Sequence, residues 1–187
     1  MRALVLCGSG RRDGFTSAMC SGAEAALSEA GWEAEVIRPS ELAISHCDSC
    51  GRCFGGGGCA KRDGMDAVYA AFSEADLMIL SSPVHFSGPS SALKTAMDRF
   101  DWVWHMHGFS HPALAAGLVC GGSDVPSFRC VLSVLRSFAA AAGSEWAGDL
   151  CLGGTDRGDR EFFRERSREF TQELLERAGR RQSGRRP

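Results

Sequence analysis

Short apolar runs alternate with amphipathic stretches along the whole chain, with no internal repeat and no linker-like segment between them. Residues 3–7 are apolar without interruption, the mark of a short strand buried on both faces. A glycine-rich loop follows at 8–14, and Thr16 or Ser17 is placed to cap a helix. In that helix Ala18, Met19, Gly22, Ala25 and Ala26 recur at helical spacing until Gly31 stops it. Residues 33–37 read as a second strand, 65–75 as a helix, and 77–80 as a third buried strand ended by Ser81-Ser82-Pro83. The helical period returns over 90–103 through Leu93, Ala96, Met97 and Phe100, and 114–120 is the fourth strand. A helix over 127–142 turns Val131, Leu132, Val134, Leu135 and Phe138 inward, and 145–152 carries a fifth strand. The last helix, 161–178, has Phe162, Phe163, Phe170 and Leu174 as its docking stripe. Residues 180–187 hold no apolar side chain and are expected as a basic, disordered tail.

Five strands each followed by a helix predict an α/β domain, a doubly wound five-stranded parallel sheet with helices on both faces. One domain over 1–179 is expected, with a cysteine-rich loop at 45–63 inside an irregular stretch (40–63) too long for a simple connection. Sheets of this kind bind ligands outside the carboxyl ends of their strands, where strand order reverses. The loops after strands one, three and four therefore carry the chemistry.

Composition narrows the classes. The chain has 187 residues, 44% of them hydrophobic, enough for one ordinary core. No apolar run approaches a membrane span, and the opening apolar stretch is shorter than a signal-peptide core. A cytoplasmic protein with no membrane partner is expected. Nineteen of the twenty-one basic residues are Arg, but the net charge of −2 makes no electrostatic case for nucleic acid. The nine cysteines are the unusual number. An odd, high count without an export signal points away from a disulfide scaffold and towards metal, cluster or redox work.

The first loop, 8–14, combines glycines, hydroxyls at Ser9, Thr16 and Ser17, a helix start, and Arg11 and Arg12, a setting suited to a terminal phosphate. It is neither a dinucleotide fingerprint nor a P-loop. A βα turn that binds nothing is the plainer reading of this loop alone. After strand three, residues 82–88 set Pro83, His85 and Phe86 at the same sheet edge, and after strand four Gly121-Gly122 offers bare backbone. Together the three loops describe a mononucleotide with an aromatic base.

Cys47-x2-Cys50-x2-Cys53-x5-Cys59, with four glycines at 55–58, is the most specific feature. Four thiolates so arranged can wrap a cubane whose irons each need one ligand. Zinc more often takes two separated pairs, and thiols holding no metal are the third reading. Cys7, Cys20, Cys120, Cys130 and Cys151 fall on predicted strands and helices and read as small core residues. In the stretch 101–111, His105, His107 and His111 could ligate a metal, but the plainer reading is an open aromatic loop serving as a pocket lid or a subunit contact, and Trp102 and Trp104 suit packing or a substrate pocket.

The chain resembles the flavodoxin-like NADPH-dependent FMN reductases, and especially the iron-sulfur flavoproteins among them. The carriers are Gly8-Ser9-Gly10-Arg11 through Thr16-Ser17, Ser82-Pro83-Val84-His85-Phe86, and Leu93-Lys94 through Asp98-Arg99, within 1–154. The resemblance implies an FMN phosphate at Ser9, Arg11, Thr16, Ser17 and Ala18. It implies a flavin ring at Pro83, Val84, His85, Phe86, Ser87, Gly121 and Gly122, and a [4Fe-4S] cluster on Cys47, Cys50, Cys53 and Cys59. Phe15 stands where Asn is usual and His85 where Tyr is common. The first removes a polar group near the phosphate, and the second changes the flavin's surroundings.

The implied activity is an FMN-dependent oxidoreductase that takes electrons from ferredoxin, NADPH or NADH and passes them through FMN and the cluster to small acceptors. No side chain need act as nucleophile or general base, so no catalytic residue is expected. A homodimer or homotetramer is implied as well, because in that family a cluster lies close to a neighbouring subunit's flavin. Two rivals remain: an NAD(P)H-dependent FMN or quinone reductase without a cluster, and a non-catalytic electron carrier or structural metal-binding module.

Overall fold

The computed structural model of the protein describes residues 1–125 and 127–183. The strands β1 (Arg2–Cys7), β2 (Glu33–Ile37), β3 (Leu77–Pro83), β4 (Leu114–Cys120) and β5 (Glu145–Leu152) form one sheet in the order β2-β1-β3-β4-β5, every neighbouring pair parallel. This is the flavodoxin-like doubly wound arrangement. From β1 the chain winds one way to β2 and the other way to β3, so the sheet's switch point lies between β1 and β3.

The alternation along β1 assigns the two cores. Leu4 and Leu6 pack with Val68 and Phe72 of α2 (Met65–Glu74), Leu93 and Ala96 of α3 (Ser91–Asp98), and Val131 and Leu135 of α4 (Arg129–Ala141). Ala3, Val5 and Cys7 face the other way, against Met19, Ala23 and Leu27 of α1 (Phe15–Glu29) and Phe163 and Leu174 of α5 (Arg160–Ser183). Among the described residues, no helix is long and apolar enough to cross a membrane.

Several elements depart from their expected limits for local reasons. Helix α1 starts two or three residues earlier than expected, with Gly14 in the cap position and no side-chain cap. Thr16 and Ser17 therefore lie inside its first turn. Strand β3 continues through Ser81, Ser82 and Pro83 because β4 runs on beside them to Cys120. Helix α3 stops at Asp98, where Arg99 and Phe100 donate to carbonyls three residues back, and a single 3-10 turn (Asp101–Trp104) follows. Helix α5 continues to Ser183, past the expected start of the tail, and residues 184–187 lie outside the described residues. Phe162 is 55% exposed rather than docked, being one helical step off the buried positions Phe163, Ser167, Thr171 and Leu174. On α4, Val131 and Leu135 are fully buried and Leu132 and Val134 only partly so.

Helices α1 and α5 meet backbone to backbone. Ser167 donates to the Met19 carbonyl at 2.7 Å, and a Cβ placed on Gly22 would stand 2.1 Å from the Arg164 carbonyl oxygen. Only hydrogen fits there. Gly22→Ala is expected to force the helices apart and cost about 2 kcal/mol of stability, the usual scale for overpacking. Urea unfolding monitored by circular dichroism measures it, and an unchanged midpoint would refute the close-approach argument.

Candidate functional site

The ends of β1, β3 and β4 open on a cleft of about 350 Å³, within the range of small-ligand sites. Ser9, Arg11 and Thr16 line its β1 side; Pro83, Val84 and His85 line the β3 side; Gly121 and Gly122 line the β4 side. Of the remaining residues expected to touch a cofactor, Ser17, Ala18, Phe86 and Ser87 are not among its lining. Ser17 is buried and donates its hydroxyl to the Arg11 carbonyl at 2.6 Å, shaping the loop from beneath. Ala18 lies in the second half of the first helical turn, where its N–H already donates to the Gly14 carbonyl.

The 85–88 segment is a tight turn in which His85 and Gly88 exchange both backbone hydrogen bonds at 2.9 Å. Its central residues Phe86 and Ser87 take positive φ angles of 49° and 66°. Positive φ at non-glycine residues is strained, and here it holds the Phe86 ring fully in solvent at the rim.

At the other end of the cleft, α1 presents its first backbone N–H groups without a side-chain acceptor. Helix α3 by contrast is capped by the Ser90 hydroxyl, which accepts from Leu93 N at 3.3 Å. An uncapped helix start with Ser9, Arg11 and Thr16 around it suits a phosphate. Phe15, Cys120 and Thr155 also line the cleft. Cys120, read from sequence as a core residue, has its thiol 3.2 Å from Thr16 Oγ1, and burial pushes it up to about 11. Among the other scattered cysteines Cys7 and Cys20 are buried, but Cys151 is only partly so, and Cys130 is exposed on the first turn of α4.

Cys47, Cys50, Cys53 and Cys59 all line a second, narrow recess, together with Lys61, Arg99, Asp101 and Trp102. The segment around them bends through positive φ at Ser49, Gly51, Gly56 and Gly58, which is where its glycines are needed. Its neck is closed by Arg99, which is 1% exposed. The guanidinium donates to Asp63 Oδ2 at 2.7 Å, the Ser45 carbonyl at 2.8 Å, the Lys61 carbonyl at 3.4 Å and, through Nε, Cys59 Sγ at 3.4 Å. Burial alone would raise the Asp63 carboxyl. Arg99, the Ser45 hydroxyl and the N–H groups of Met65 and Ser45 outweigh it and hold the group well below the usual carboxylate range. Cys59 is lowered in the same way, burial being outweighed by the Lys61 N–H and by Arg99. Cys53 is raised, by burial and by the Asp101 carboxylate 3.9 Å away.

Among the described residues, the one trio of metal-ligating side chains whose donor atoms all lie within 4.8 Å of one another is Cys53, Asp101 and His105. The four cysteine sulfurs are not gathered so closely. His105 packs against Phe54 with ring centroids 4.4 Å apart and the rings tilted by 46°, and His107 and His111 take no part in the trio. Trp102 is buried beside the recess, its Nε1 without a hydrogen-bond partner, whereas Trp104 is 66% exposed.

Arg99, Asp63 and Asp101 carry the neck and rim of the recess, and none was picked out from the sequence for that role. Arg99 offered one signal: it stands three residues after the buried Ala96, where a charged side chain must find a buried partner.

A 2-1-3-4-5 sheet with a phosphate-suited loop and a long cleft at its switch point defines a flavodoxin-like mononucleotide-binding domain. Residues 1–145 match the family described as NADPH-dependent FMN reductase, and the chain belongs to that family. It is 36% identical over 99 residues to an iron-sulfur flavoprotein of Archaeoglobus fulgidus, a stretch covering 53% of this chain and 45% of that one. An iron-sulfur flavoprotein of Methanocaldococcus jannaschii matches at 36% over 99 residues, 53% of this chain and 51% of the relative. The chain thus aligns with about half the length of these curated relatives. Among solved structures, an NAD(P)H:quinone oxidoreductase from Methanothermobacter marburgensis superposes with a TM-score of 0.75 at 20% identity, over 93% of this chain and 96% of the other. An FMN-dependent NADH-azoreductase from Bacillus anthracis, solved with FMN, gives 0.65 at 12% identity, over 95% and 99%. These two likenesses establish the fold.

The buried pair makes stability depend on acid pH in a defined direction. The folded Asp63 carboxyl titrates below the unfolded one, so its contribution is fully present above about pH 4 and fades as pH falls towards the lower folded value. Asp63→Asn leaves Arg99 unpaired in the interior and is expected to cost about 3 kcal/mol at neutral pH. The cost should shrink with acidification, and denaturant unfolding at a series of pH values checks both. A cost that does not change with pH would count against the assignment.

Proposed function

We propose that this chain is an FMN-dependent oxidoreductase with two redox centres, FMN in the strand-end cleft and a [4Fe-4S] cluster on Cys47, Cys50, Cys53 and Cys59. Its electron donor is NADPH, NADH or reduced ferredoxin, and its acceptors are small molecules. The observation that carries this reading is that one domain offers both a cleft of mononucleotide size and a separate recess lined by four cysteines. Membership in the NADPH-dependent FMN reductase family supports the flavin, and the names of the curated relatives support the iron-sulfur centre.

When bound, FMN takes up two electrons together and can release them singly, which matches a cluster that carries one at a time. The chain's own residues hold and orient. The α1 N-terminus, Ser9, Arg11 and Thr16 would bind the phosphate. Pro83, Val84 and His85 would wall the ring on one side, with Gly121 and Gly122 allowing close backbone approach on the other. At the recess the four cysteines, spaced Cys-x2-Cys-x2-Cys-x5-Cys, would offer one thiolate to each iron of a cubane.

Anaerobically purified protein should show flavin absorption over a broad cluster background, with about four irons per chain, since each cysteine ligates one. Yellow protein without iron would leave an NAD(P)H-dependent FMN or quinone reductase. Colourless protein with one zinc, lost on His105→Ala, would replace the cluster by a single ion at Cys53, Asp101 and His105. Cys53→Ala is expected to lose the iron and keep FMN, measured by iron analysis and flavin fluorescence. Oxidation of NADPH or NADH, or of reduced ferredoxin, by the FMN-loaded protein in the presence of small-molecule acceptors separates enzyme from carrier; no turnover with any acceptor would favour the carrier.

A further inference from the structure

We propose that Arg99 is a positioning residue for the cluster, its Nε–H donating to Cys59 Sγ so as to favour the reduced state and raise the midpoint potential; this rests on the cluster reading above. The geometry is specific. Nε lies 3.4 Å from the sulfur, and the Nη groups are held elsewhere, by Asp63 Oδ2 at 2.7 Å and by the carbonyls of Ser45 and Lys61. The side chain is wholly buried, so it has no access to an incoming substrate or a nicotinamide phosphate. Turning the guanidinium away from Cys59 would break the contacts that close the neck of the loop.

A hydrogen bond to a cluster sulfur is one of the terms that set a cluster's potential. Reduction adds one negative charge, and a donor that already carries a positive charge stabilises that state more than the oxidised one. Arginine keeps its proton at all working pH values, so one electron enters or leaves with no proton exchanged at this group. Asp101, 3.9 Å from Cys53 Sγ, acts in the opposite sense. Because Arg99 is buried and its contact with Cys59 is partly so, the effect is screened by salt far less than that of a surface charge would be.

Arg99→Lys tests this, since lysine keeps a cation opposite Asp63 but lacks the Nε donor. Wild type and variant are reconstituted with iron and sulfide and titrated potentiometrically, with the cluster followed by electron paramagnetic resonance and the flavin by absorbance. At the potential where the wild-type cluster is half reduced, the variant's reduced-to-oxidised ratio should fall about tenfold, equivalent to 59 mV for a one-electron couple. The flavin midpoint should not move, and the cluster shift should be the same at low and high salt. Iron retained with an unchanged ratio overturns the role of Arg99 and leaves the cluster reading standing. Should the variant lose its iron, wild-type protein labelled with 15N at arginine Nε decides: one Nε–H resonance displaced by the cluster and moving on reduction supports the contact, and none overturns it. Wild type that takes up no iron or sulfide overturns the cluster reading, and this inference with it.

Discussion

A buried ion pair holds the cysteine-rich insertion in shape. Between β2 and α2 the chain forms only two isolated 3-10 turns, Pro39–Glu41 and Arg52–Gly55, so backbone hydrogen bonding cannot define a recess there. Arg99 and Asp63 supply the missing order. Asp63 gathers Ser45 through its hydroxyl and N–H, and Met65 at the start of α2, while Arg99 ties Ser45 to Lys61. Removing two charges from water costs several kcal/mol each, so such a pair persists only with its hydrogen bonds nearly complete, as here. The next residue, Phe100, sits at the centre of an aromatic cluster with Tyr69, Phe72, Trp102 and Phe138, at centroid distances of 4.9 to 5.9 Å. Charge clamp and apolar anchor are thus adjacent in the chain, and the recess inherits the rigidity of the core.

The cleft has a different origin. It follows from strand order, which leaves the ends of β1, β3 and β4 facing one opening, and it needs little from side chains beyond small size and hydroxyls. Its one costly element is the turn at 85–88, where Phe86 and Ser87 hold a conformation worth about 1–3 kcal/mol of strain each. That strain lies at the rim, away from the β-sheet hydrogen bonds.

The strands were legible because each is a short apolar run broken by turn residues; β2, β4 and β5 match the expected limits residue for residue. The four cysteines were legible for the same reason, being one local pattern. What escaped was non-local. Arg99 and Asp63 are 36 residues apart, and nothing within either neighbourhood names the other. Ser17 read as a phosphate ligand because its type and place fit, yet its hydroxyl meets the Arg11 carbonyl once the loop folds back. Phe162 and Phe163 are indistinguishable by composition, and only the rotation of α5 on α1 decides which is buried. Cys120 looked like filler on a buried strand; being the last residue of that strand is what brings it to the cleft.

The stretch that matches the family ends at residue 145, where β5 begins, and α5 lies wholly beyond it. Yet α5 covers the same sheet face as α1 and lies against it at Gly22. The limit of the family match therefore does not coincide with the limit of the packed core. A fragment cut at the family limit would leave Ala116, Leu118 and the outer side of α1 uncovered, and the helix whose N-terminus faces the cleft would lose its lateral support. The part of this protein outside the family match is thus a structural buttress for the loop that opens its cleft.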